Sequence, residues 1–282
     1  MAAAAVVGCA SKPEPSEKPN SGTDSAYPPI KKSPFAPDAT DVKRADVIEP
    51  KEPAKGGFPL RLKAQAGSSF QFQLSSDVTI DLEKKELPVN VPAHQNVKIS
   101  AEFTVRAAKV ENGITDFEIA STPVTVIRDG KREGFSSAHA TIRVDDRDRV
   151  VTAFNDPLAG MLGLGFVPFP QNAAAAGREW KVEGLRDVPG FKDMESGLPK
   201  QIKMTEVYRL IAGKPKVGWT IRSSANSEGS PVSSSGEYRY DASGVLLSAN
   251  IVQQAEMNVP LAAGGKAHGK IKVNVALSRK SG

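Results

Sequence analysis

Cysteine is almost absent from this chain. Among 282 residues there is one, Cys9, which excludes an internal disulfide and any metal site built from several thiolates. Histidine is also scarce: His94, His139 and His268 are too far from one another, and from other ligating residues, for a local zinc motif. No run of eighteen apolar residues occurs, so a membrane-spanning helix is not expected.

A concentrated positive charge is missing as well. The net charge is +5, and the first 55 residues are neutral because they carry eight basic and eight acidic side chains. In the remainder, basic and acidic residues alternate, as in RDGKREG (128–134) and DDRDR (145–149). A nucleic-acid surface needs a basic stripe with aromatic platforms. With aromatic residues at only 6%, we expect no nucleic-acid partner.

Catalytic motifs are not found either. The Ser-rich stretch 222–237 has no G-x-S-x-G elbow and is interpreted as a loop, and GMLGLGF (160–166) lacks the Lys and Ser/Thr of a phosphate loop. Asp145, Asp146 and Asp148 lack EF-hand spacing, which favours a solvent-exposed hairpin turn. We therefore expect a non-enzymatic protein without a cofactor or metal. An envelope hydrolase, with acid and base residues brought together by loops, is the open alternative.

The residues before the single cysteine form a recognisable pattern. Val6-Val7-Gly8-Cys9 has an aliphatic residue three places before the cysteine and a glycine directly before it. This resembles the lipobox of bacterial lipoproteins, which implies lipidation of Cys9, membrane attachment through it, and an extracytoplasmic location in the bacterial cell envelope. Several acyl chains on one residue give stable anchoring. Because the apolar run before Cys9 is short and has no basic residue, we expect further signal peptide upstream of Met1.

A proline-rich polar segment follows the cysteine. Residues 10–59 hold ten of the 21 prolines and show no periodic apolar pattern. Such a segment buries too little apolar surface to offset its ordering entropy. We therefore predict three regions: a remnant of the signal peptide at 1–9, a disordered tether at 10–59, and one all-β domain at 60–282.

The predicted domain shows an alternation of apolar and polar residues with period two. VKISAEFTVRA, for example, places Val97, Ile99 and Phe103 on one face. About twelve such runs are bounded by Gly, Pro, Asn, Asp or Ser, and Asp129-Gly130 marks a hairpin turn. This predicts a mainly β, antiparallel fold, either a curved sheet or a partly open β-barrel, with one face buried and the other solvated.

Two parts of this domain are similar to each other. Residues 67–72 and 177–182 share the pattern G-x-x-aromatic-x-apolar, and residues 142–153 and 238–249 each form a predicted hairpin with aspartate at its turn. This indicates two β-meander halves, 60–155 and 177–278. The alternative is that turn geometry alone demands Asp and Gly in unrelated hairpins.

The second of these parts also resembles a known group of proteins. AGREWKVE, VYRLI, GWTIRSS and GEYRYDASGVLLSANIVQQAEM look like the C-terminal half of a family of secreted all-β bacterial proteins of no known activity. The resemblance extends over about 60–278. It implies a lipoprotein-like envelope protein. Trp180 and Trp219, within these motifs, are predicted to be core anchors.

One apolar stretch interrupts the strand pattern. Residues 156–177 carry almost no charge, and Asp156-Pro157 is a helix-start signal that predicts a short helix at 157–166. An uncharged segment must be buried or face something apolar, so we expect it to plug or gate a concavity of the sheet that holds an apolar ligand such as an acyl chain. The candidate ligand contacts are Leu158, Met161, Leu162, Phe166 and Phe169. An envelope protein partner is the alternative to such a ligand.

Overall fold

The computed structural model describes residues 46–83, 93–128, 130–137, 139–153, 165–187, 201–227, 231–260 and 266–280. Cys9, most of the predicted tether and residues 157–164 of the predicted helix lie outside these ranges. No helix occurs among the described residues, and thus none there is long and apolar enough to cross a membrane.

The described residues form fourteen β-strands. Many contain the alternating runs predicted from the sequence. They are β1 (Asp46–Ile48), β2 (Ser69–Leu82), β3 (His94–Glu111), β4 (Ile114–Ser121), β5 (Val124–Arg128), β6 (Lys131–Phe135), β7 (His139–Asp145), β8 (Val150–Ala153), β9 (Glu179–Asp187), β10 (Gln201–Lys214), β11 (Gly218–Ser227), β12 (Val232–Tyr240), β13 (Leu246–Pro260) and β14 (Lys266–Arg279).

All fourteen strands belong to one antiparallel sheet. Its order is β1-β9-β10-β11-β12-β13-β14-β2-β3-β4-β7-β8, and the hairpin β5–β6 branches from β3. The sheet is curved and is not closed into a barrel. This confirms the predicted mainly β, antiparallel fold class, and of its two predicted forms the curved open sheet fits. The hairpin expected around Asp129-Gly130 is present as β5–β6, with Val124 opposite Phe135.

The two ends of the described chain pair with distant parts of it. β14 lies between β13 and β2, with Ile271 opposite Ile80. β1 pairs with β9, where Val47 lies opposite Val182. The last described strand is therefore central in the sheet, while the first forms one of its edges.

The core lies on one face of the sheet, as the alternation predicts. In β2 every second residue from Phe72 to Leu82 is buried, and β3 shows the same alternation through Ala107. Two irregular segments add to this core. One contains Leu60 and the other Phe169, both fully buried, and an isolated bridge joins Phe58 to Ala174.

Residues 46–59 belong to the folded body, although the sequence placed them in the tether. The Glu49 carboxylate accepts hydrogen bonds from the backbone N–H groups of Gln171 and Asn172 at 2.7 and 2.9 Å. The guanidinium of Arg178 donates to the carbonyl of Pro50 at 3.1 Å. These bonds provide ordering free energy that the proline-rich composition alone does not supply, so the boundary of the folded part lies at or before Asp46.

The Ser-rich stretch 222–237 is not a loop, and that prediction was wrong. Residues 222–227 lie in β11 and residues 232–237 in β12, with Ser223 opposite Gly236 and Ser224 opposite Ser235. β11 also pairs with β10, and β12 with β13. Backbone pairing on both sides outweighs the weak strand preference of serine, because strand preference depends strongly on context.

Candidate functional site

The turn between β7 and β8 is built around one buried carboxylate. Oδ1 of Asp145 accepts the N–H groups of Arg147 and Arg149, both at 3.0 Å, and Oδ2 lies 2.8 Å from Nε of Arg149. Asp148 closes the turn in the left-handed region with φ 58, which aspartate tolerates better than most residues. The expectation of a solvent-exposed turn was wrong for Asp145 and Asp148, which are only 4% and 3% exposed.

The turn between β12 and β13 repeats this geometry. Oδ1 of Asp241 accepts the N–H groups of Ser243 and Val245 at 2.9 and 3.1 Å, and Oδ2 pairs with Arg279 at 2.7 Å. Burial favours a higher pKa for Asp241, but the hydrogen bonds from Ser243 and Arg279 outweigh it and lower the pKa. Gly244 occupies the left-handed position with φ 78, where the first turn has Asp148.

The strands that carry these turns also match. Ile142 lies opposite Ala153, and Tyr238 lies opposite Ala249. In both hairpins the strand register shifts one residue later, after Arg143 in the first and after Arg239 in the second.

The beginnings of the two halves correspond as well. The N–H of Gly67 donates to Ala107, and that of Gly177 donates to Leu210, both at 2.7 Å. A bulge follows both acceptors. Such repeated hydrogen bonding is what a duplicated unit produces. The duplication itself, with halves at 60–155 and 177–278, stays a prediction.

A small cavity lies between the two turns, bordered by Asp148 and Gly244, and is partly open to the surface. Its volume is about 60 Å³. Most of its wall consists of aromatic and aliphatic side chains, which include Phe70, Phe72, Phe117, Ile119, Phe166 and Leu277. Its polar groups are the side chains of Asp148 and Tyr240.

Both halves line the cavity, but two inward positions of the first half carry smaller side chains than the corresponding positions of the second half. Phe70 and Val105 face each other across β2 and β3 and line the cavity. At the corresponding positions of β9 and β10, Trp180 stacks on Tyr208 with ring centroids 5.9 Å apart. Protein interiors are close-packed wherever side-chain volume allows. In the second half the larger rings of Trp180 and Tyr208 fill the volume that, in the first half, Phe70 and Val105 leave open.

The two polar groups of the cavity lie close together. Oδ2 of Asp148 accepts the N–H of Val167 at 3.0 Å. The hydroxyl of Tyr240 is 3.5 Å from the same oxygen and 3.3 Å from the carbonyl of Gly165. Burial raises the pKa of Asp148 well above its ordinary value, against the hydrogen bond from Val167. Burial, reinforced by Asp148, also raises the pKa of Tyr240, so both groups favour their neutral forms.

The arginines of the first turn are engaged elsewhere. Nε of Arg147 donates to the carbonyl of Phe169 at 3.1 Å, and its guanidinium lies 3.9 Å from Glu49. Arg149 forms a close ion pair with Asp145 at 2.7 Å. Burial chiefly lowers the pKa of Arg147. The described contacts of both guanidinium groups are therefore with acceptors other than the carboxylate of Asp148.

The predicted ligand contacts fall into three groups. Leu158, Met161 and Leu162 lie outside the described residues. Phe166 lines the cavity. Phe169 is fully buried and packs edge-on against Trp219 and Tyr240, with centroid distances of 5.8 and 5.3 Å, so in this structure it is a core residue. Ligand contact by these residues stays a prediction.

Sequence reasoning missed Asp148 and Tyr240 as a pair because they are 92 positions apart. Each had an ordinary explanation, Asp148 as a turn residue and Tyr240 as an inward strand residue. The core role predicted for Trp180 and Trp219 is confirmed, since they are 1% and 5% exposed. Among the described residues, no group of three or more His, Cys, Asp or Glu side chains is placed to hold a metal ion.

Fold and site together define an open, curved antiparallel β-sheet protein with a small apolar cavity that holds a carboxyl and a phenol. The sequence matches no protein-family model and no curated protein. Seven chains of solved structures match. One is the crystal structure of a presumed exported protein with a YmcC-like fold from Bacteroides fragilis, at 9% identity and TM-score 0.33, with 79% of this chain and 100% of that chain covered. A similarity of this size carries no argument about function.

Proposed function

We propose that this chain is a lipid-anchored, extracytoplasmic binding protein of the bacterial cell envelope, without enzymatic activity, that holds an apolar group in the cavity between its two turns. The observation that carries the proposal is the cavity itself. It is apolar, partly open and bordered by both halves of one sheet, and a concave apolar site with few polar groups is the usual form of a small-molecule site.

The volume of the cavity limits what it holds. Pockets for drug-sized ligands measure about 300–1,000 Å³, whereas this cavity has about 60 Å³. It therefore accepts the end of an apolar chain or a small apolar group, while the rest of a longer ligand lies outside its mouth. This is a narrower function than enclosing a complete acyl chain.

The amino-terminal segment supports the proposed location. Cys9 in its lipobox-like context would hold the protein at a membrane, and the predicted proline-rich tether would separate it from the folded body. A polyproline conformation of residues 10–45 would reach on the order of 100 Å, at about 3.1 Å per residue. The body would thus stand clear of the membrane and have access to ligands or partners in the envelope.

The binding proposal is tested by titrating the protein with a fluorescent probe that carries an acyl chain. We expect saturable binding at defined stoichiometry. Ile119→Phe, which fills the cavity, should weaken it about tenfold or more, because the added atoms occupy the site. The matched control is Ile127→Phe, since Ile127 is 36% exposed on β5 and away from the cavity.

Because overpacking costs about 1–3 kcal/mol, the folding of Ile119→Phe is checked by circular dichroism, and Phe117→Leu serves as a second variant. Phe117→Leu enlarges the cavity and should strengthen binding of bulkier probes. Non-saturable binding, or saturable binding that neither variant changes, would contradict the proposal.

Anchoring is tested by Cys9→Ser in the complete gene expressed with its native upstream region. We expect the wild-type protein in the membrane fraction, with an N-terminal peptide that begins at acylated Cys9. The variant should be uncleaved and no longer anchored through acyl chains. An unmodified and uncleaved Cys9 in the wild-type protein would end the lipoprotein part of the proposal.

One observation, the proximity of Asp148 and Tyr240, supports the alternative that the protein is an envelope hydrolase. It requires at least two titratable groups in one cleft, and Asp148 and Tyr240 meet that requirement in number. The pair formed by His94 and Asp81, 2.6 Å apart, lies instead on the solvent-exposed surface of the sheet. Turnover of ester probes that Asp148→Asn abolishes would favour the alternative over a binding protein.

A further inference from the structure

The hydroxyl of Tyr240 is buried but poorly hydrogen-bonded. Its two neighbouring acceptors are at 3.3 and 3.5 Å, whereas hydrogen bonds between a hydroxyl and an oxygen are usually about 2.7–2.8 Å long. Tyr240 is only 2% exposed. A buried hydroxyl without a short bond loses free energy relative to water, and Tyr240 is one of the residues that line the cavity.

Asp148 offers a second polar group at the same place. Asp148 is 3% exposed and is one of the residues that line the cavity. The described contacts of its carboxyl are the N–H of Val167 and the hydroxyl of Tyr240. The guanidinium groups of Arg147 and Arg149 are bonded to other acceptors, so they supply no counter-charge here.

The second turn shows that the backbone does not require a carboxyl at this position. Gly244 adopts the same left-handed conformation in the corresponding turn, and glycine does so with less strain than aspartate. The conformation of the turn therefore does not explain the side chain of Asp148. That side chain contacts the N–H of Val167 and the hydroxyl of Tyr240, and Asp148 is also one of the residues that line the cavity.

We propose that Asp148 and Tyr240 together recognise an uncharged hydrogen-bonding end of an apolar ligand, namely the hydroxyl of a long-chain alcohol or of an acyl ester of a polyol. The proposal names the ligand class of the proposed binding function and rests on that function. The ligand hydroxyl accepts from the phenol of Tyr240 and donates to the carboxyl of Asp148. Its adjoining carbons pack against the apolar wall, which suits a cavity of about 60 Å³.

An ionised ligand head is unsuited to the same place. A carboxylate would enter an apolar cavity next to Asp148 without a cation to pair with, and burying an unpaired charge is far more costly than burying a bonded hydroxyl. A pure hydrocarbon end would give the hydroxyl of Tyr240 no shorter hydrogen bond than the two it has at 3.3 and 3.5 Å. Hydroxyl-terminated chains should thus be preferred over both.

The test measures displacement of the fluorescent acyl probe from the full chain by 1-decanol, undecane and decanoate at one pH. 1-Decanol and undecane have the same number of heavy atoms but differ in the hydration of the hydroxyl, so the change in their affinity ratio between variants isolates the contacts of the hydroxyl in the cavity. We expect 1-decanol to bind at least about tenfold more tightly than undecane and decanoate. In Tyr240→Phe and in Asp148→Gly, which copies the second turn, the ratio of 1-decanol to undecane should fall at least fivefold.

Asp146→Asn is the matched control, because Asp146 lies at an exposed position of the same turn and is not among the residues that line the cavity. It should keep the preference for 1-decanol. If Asp148→Gly does not fold, Tyr240→Phe alone decides. Saturable binding of undecane with no preference for 1-decanol, or a preference that Tyr240→Phe leaves intact, would overturn the recognition role and leave the proposed function standing. Failure of every ligand and of the probe to saturate would overturn both.

Discussion

At the scale of single residues, Asp148 combines two unfavourable features. Its backbone is left-handed, with φ 58, and its carboxyl is almost completely removed from water. The first feature costs about 1 kcal/mol or more for a residue other than glycine. Burial also raises the pKa of Asp148 well above its ordinary value, which favours the neutral form and lowers the cost of removing the carboxyl from water.

This gives stability a pH dependence that can be measured. In the unfolded chain Asp148 ionises near its ordinary pKa, about 3.9, whereas in the folded protein the pKa is raised. The folded state therefore binds more protons above that value, and stability falls as pH rises. The charges nearest the group are those of Asp145, which acts in the same direction, and Tyr240, which stays neutral.

We predict that Asp148→Asn gains stability relative to the wild-type protein as the pH increases from 4 to 8, because the amide does not ionise. Urea denaturation at several pH values, followed by tryptophan fluorescence, measures the difference. Asp146→Asn, at an exposed position of the same turn, is the control and should show no such trend. A constant difference between Asp148→Asn and wild type would mean that Asp148 is ionised in the folded protein.

At the residue scale the sequence predicted the large core side chains and missed the polar pair. Trp180 and Trp219 were expected in the core because large aromatic side chains on inward strand positions have few other uses. Asp148 was assigned to solvent because aspartate is common in turns for reasons of local hydrogen bonding alone. Its burial depends on Val167 and Tyr240, which the local sequence around Asp148 does not contain.

At the scale of elements, two glycines with left-handed backbones, Gly244 in the turn after β12 and Gly67 before β2, differ in how closely other atoms approach them. A Cβ at Gly244 would lie 2.2 Å from the carbonyl oxygen of Arg61, whereas a Cβ at Gly67 would meet nothing within 4 Å. Both glycines have similar positive φ angles, 78 and 83. A substitution at Gly67 therefore measures backbone strain alone, whereas one at Gly244 measures backbone strain together with steric contact.

We predict that Gly67→Ala costs about 1 kcal/mol of unfolding free energy, which is the strain of a left-handed alanine. Gly244→Ala should cost at least about 2 kcal/mol more, since the segment that contains Arg61 must also move. Chemical denaturation measures both values. Equal losses would show that the segment around Arg61 yields without cost and does not hold the second turn in place.

Strands were predicted well where their inward residues are apolar and less well elsewhere. β4 was missed because two of its four buried positions are Thr115 and Ser121, which weakens the alternation of apolar residues. In β11 and β12 only the serine-rich parts were missed, because few of their inward positions carry apolar side chains. β1 was missed because its three residues lie within the proline-rich segment 10–59 and pair with the distant strand β9.

At the scale of the whole molecule, β14 joins the two halves of the sheet. It pairs with β13 on one side and with β2 on the other, and it carries five buried apolar residues, Ala267, Ile271, Val273, Val275 and Leu277. Burying one Val, Leu or Ile side chain contributes about 1.5–3 kcal/mol, and domains are stable by only about 5–15 kcal/mol. The strand therefore carries free energy comparable with the stability of the entire domain.

We predict that truncation after Pro260, which removes β14, abolishes folding of the whole body rather than of one half. Circular dichroism and limited proteolysis of the purified fragment measure this. Removal of residues 1–45, the predicted signal remnant and tether, is the control and should leave the denaturation midpoint unchanged. A protease-resistant fragment from either half of the truncated protein would show that the halves fold independently.

The sequence by itself determined the class of secondary structure, the positions of the hairpin turns and the face that each alternating strand buries, because these depend on residues within a few positions of one another. Only the tertiary structure decided that β14 lies at the centre of the sheet, that β1 closes on β9, and that Asp148 meets Tyr240 at a cavity. Those arrangements depend on contacts between distant segments. The free energy of such contacts is set by how side-chain volumes and hydrogen bonds fit together in three dimensions, so the contacts leave no local pattern in the sequence.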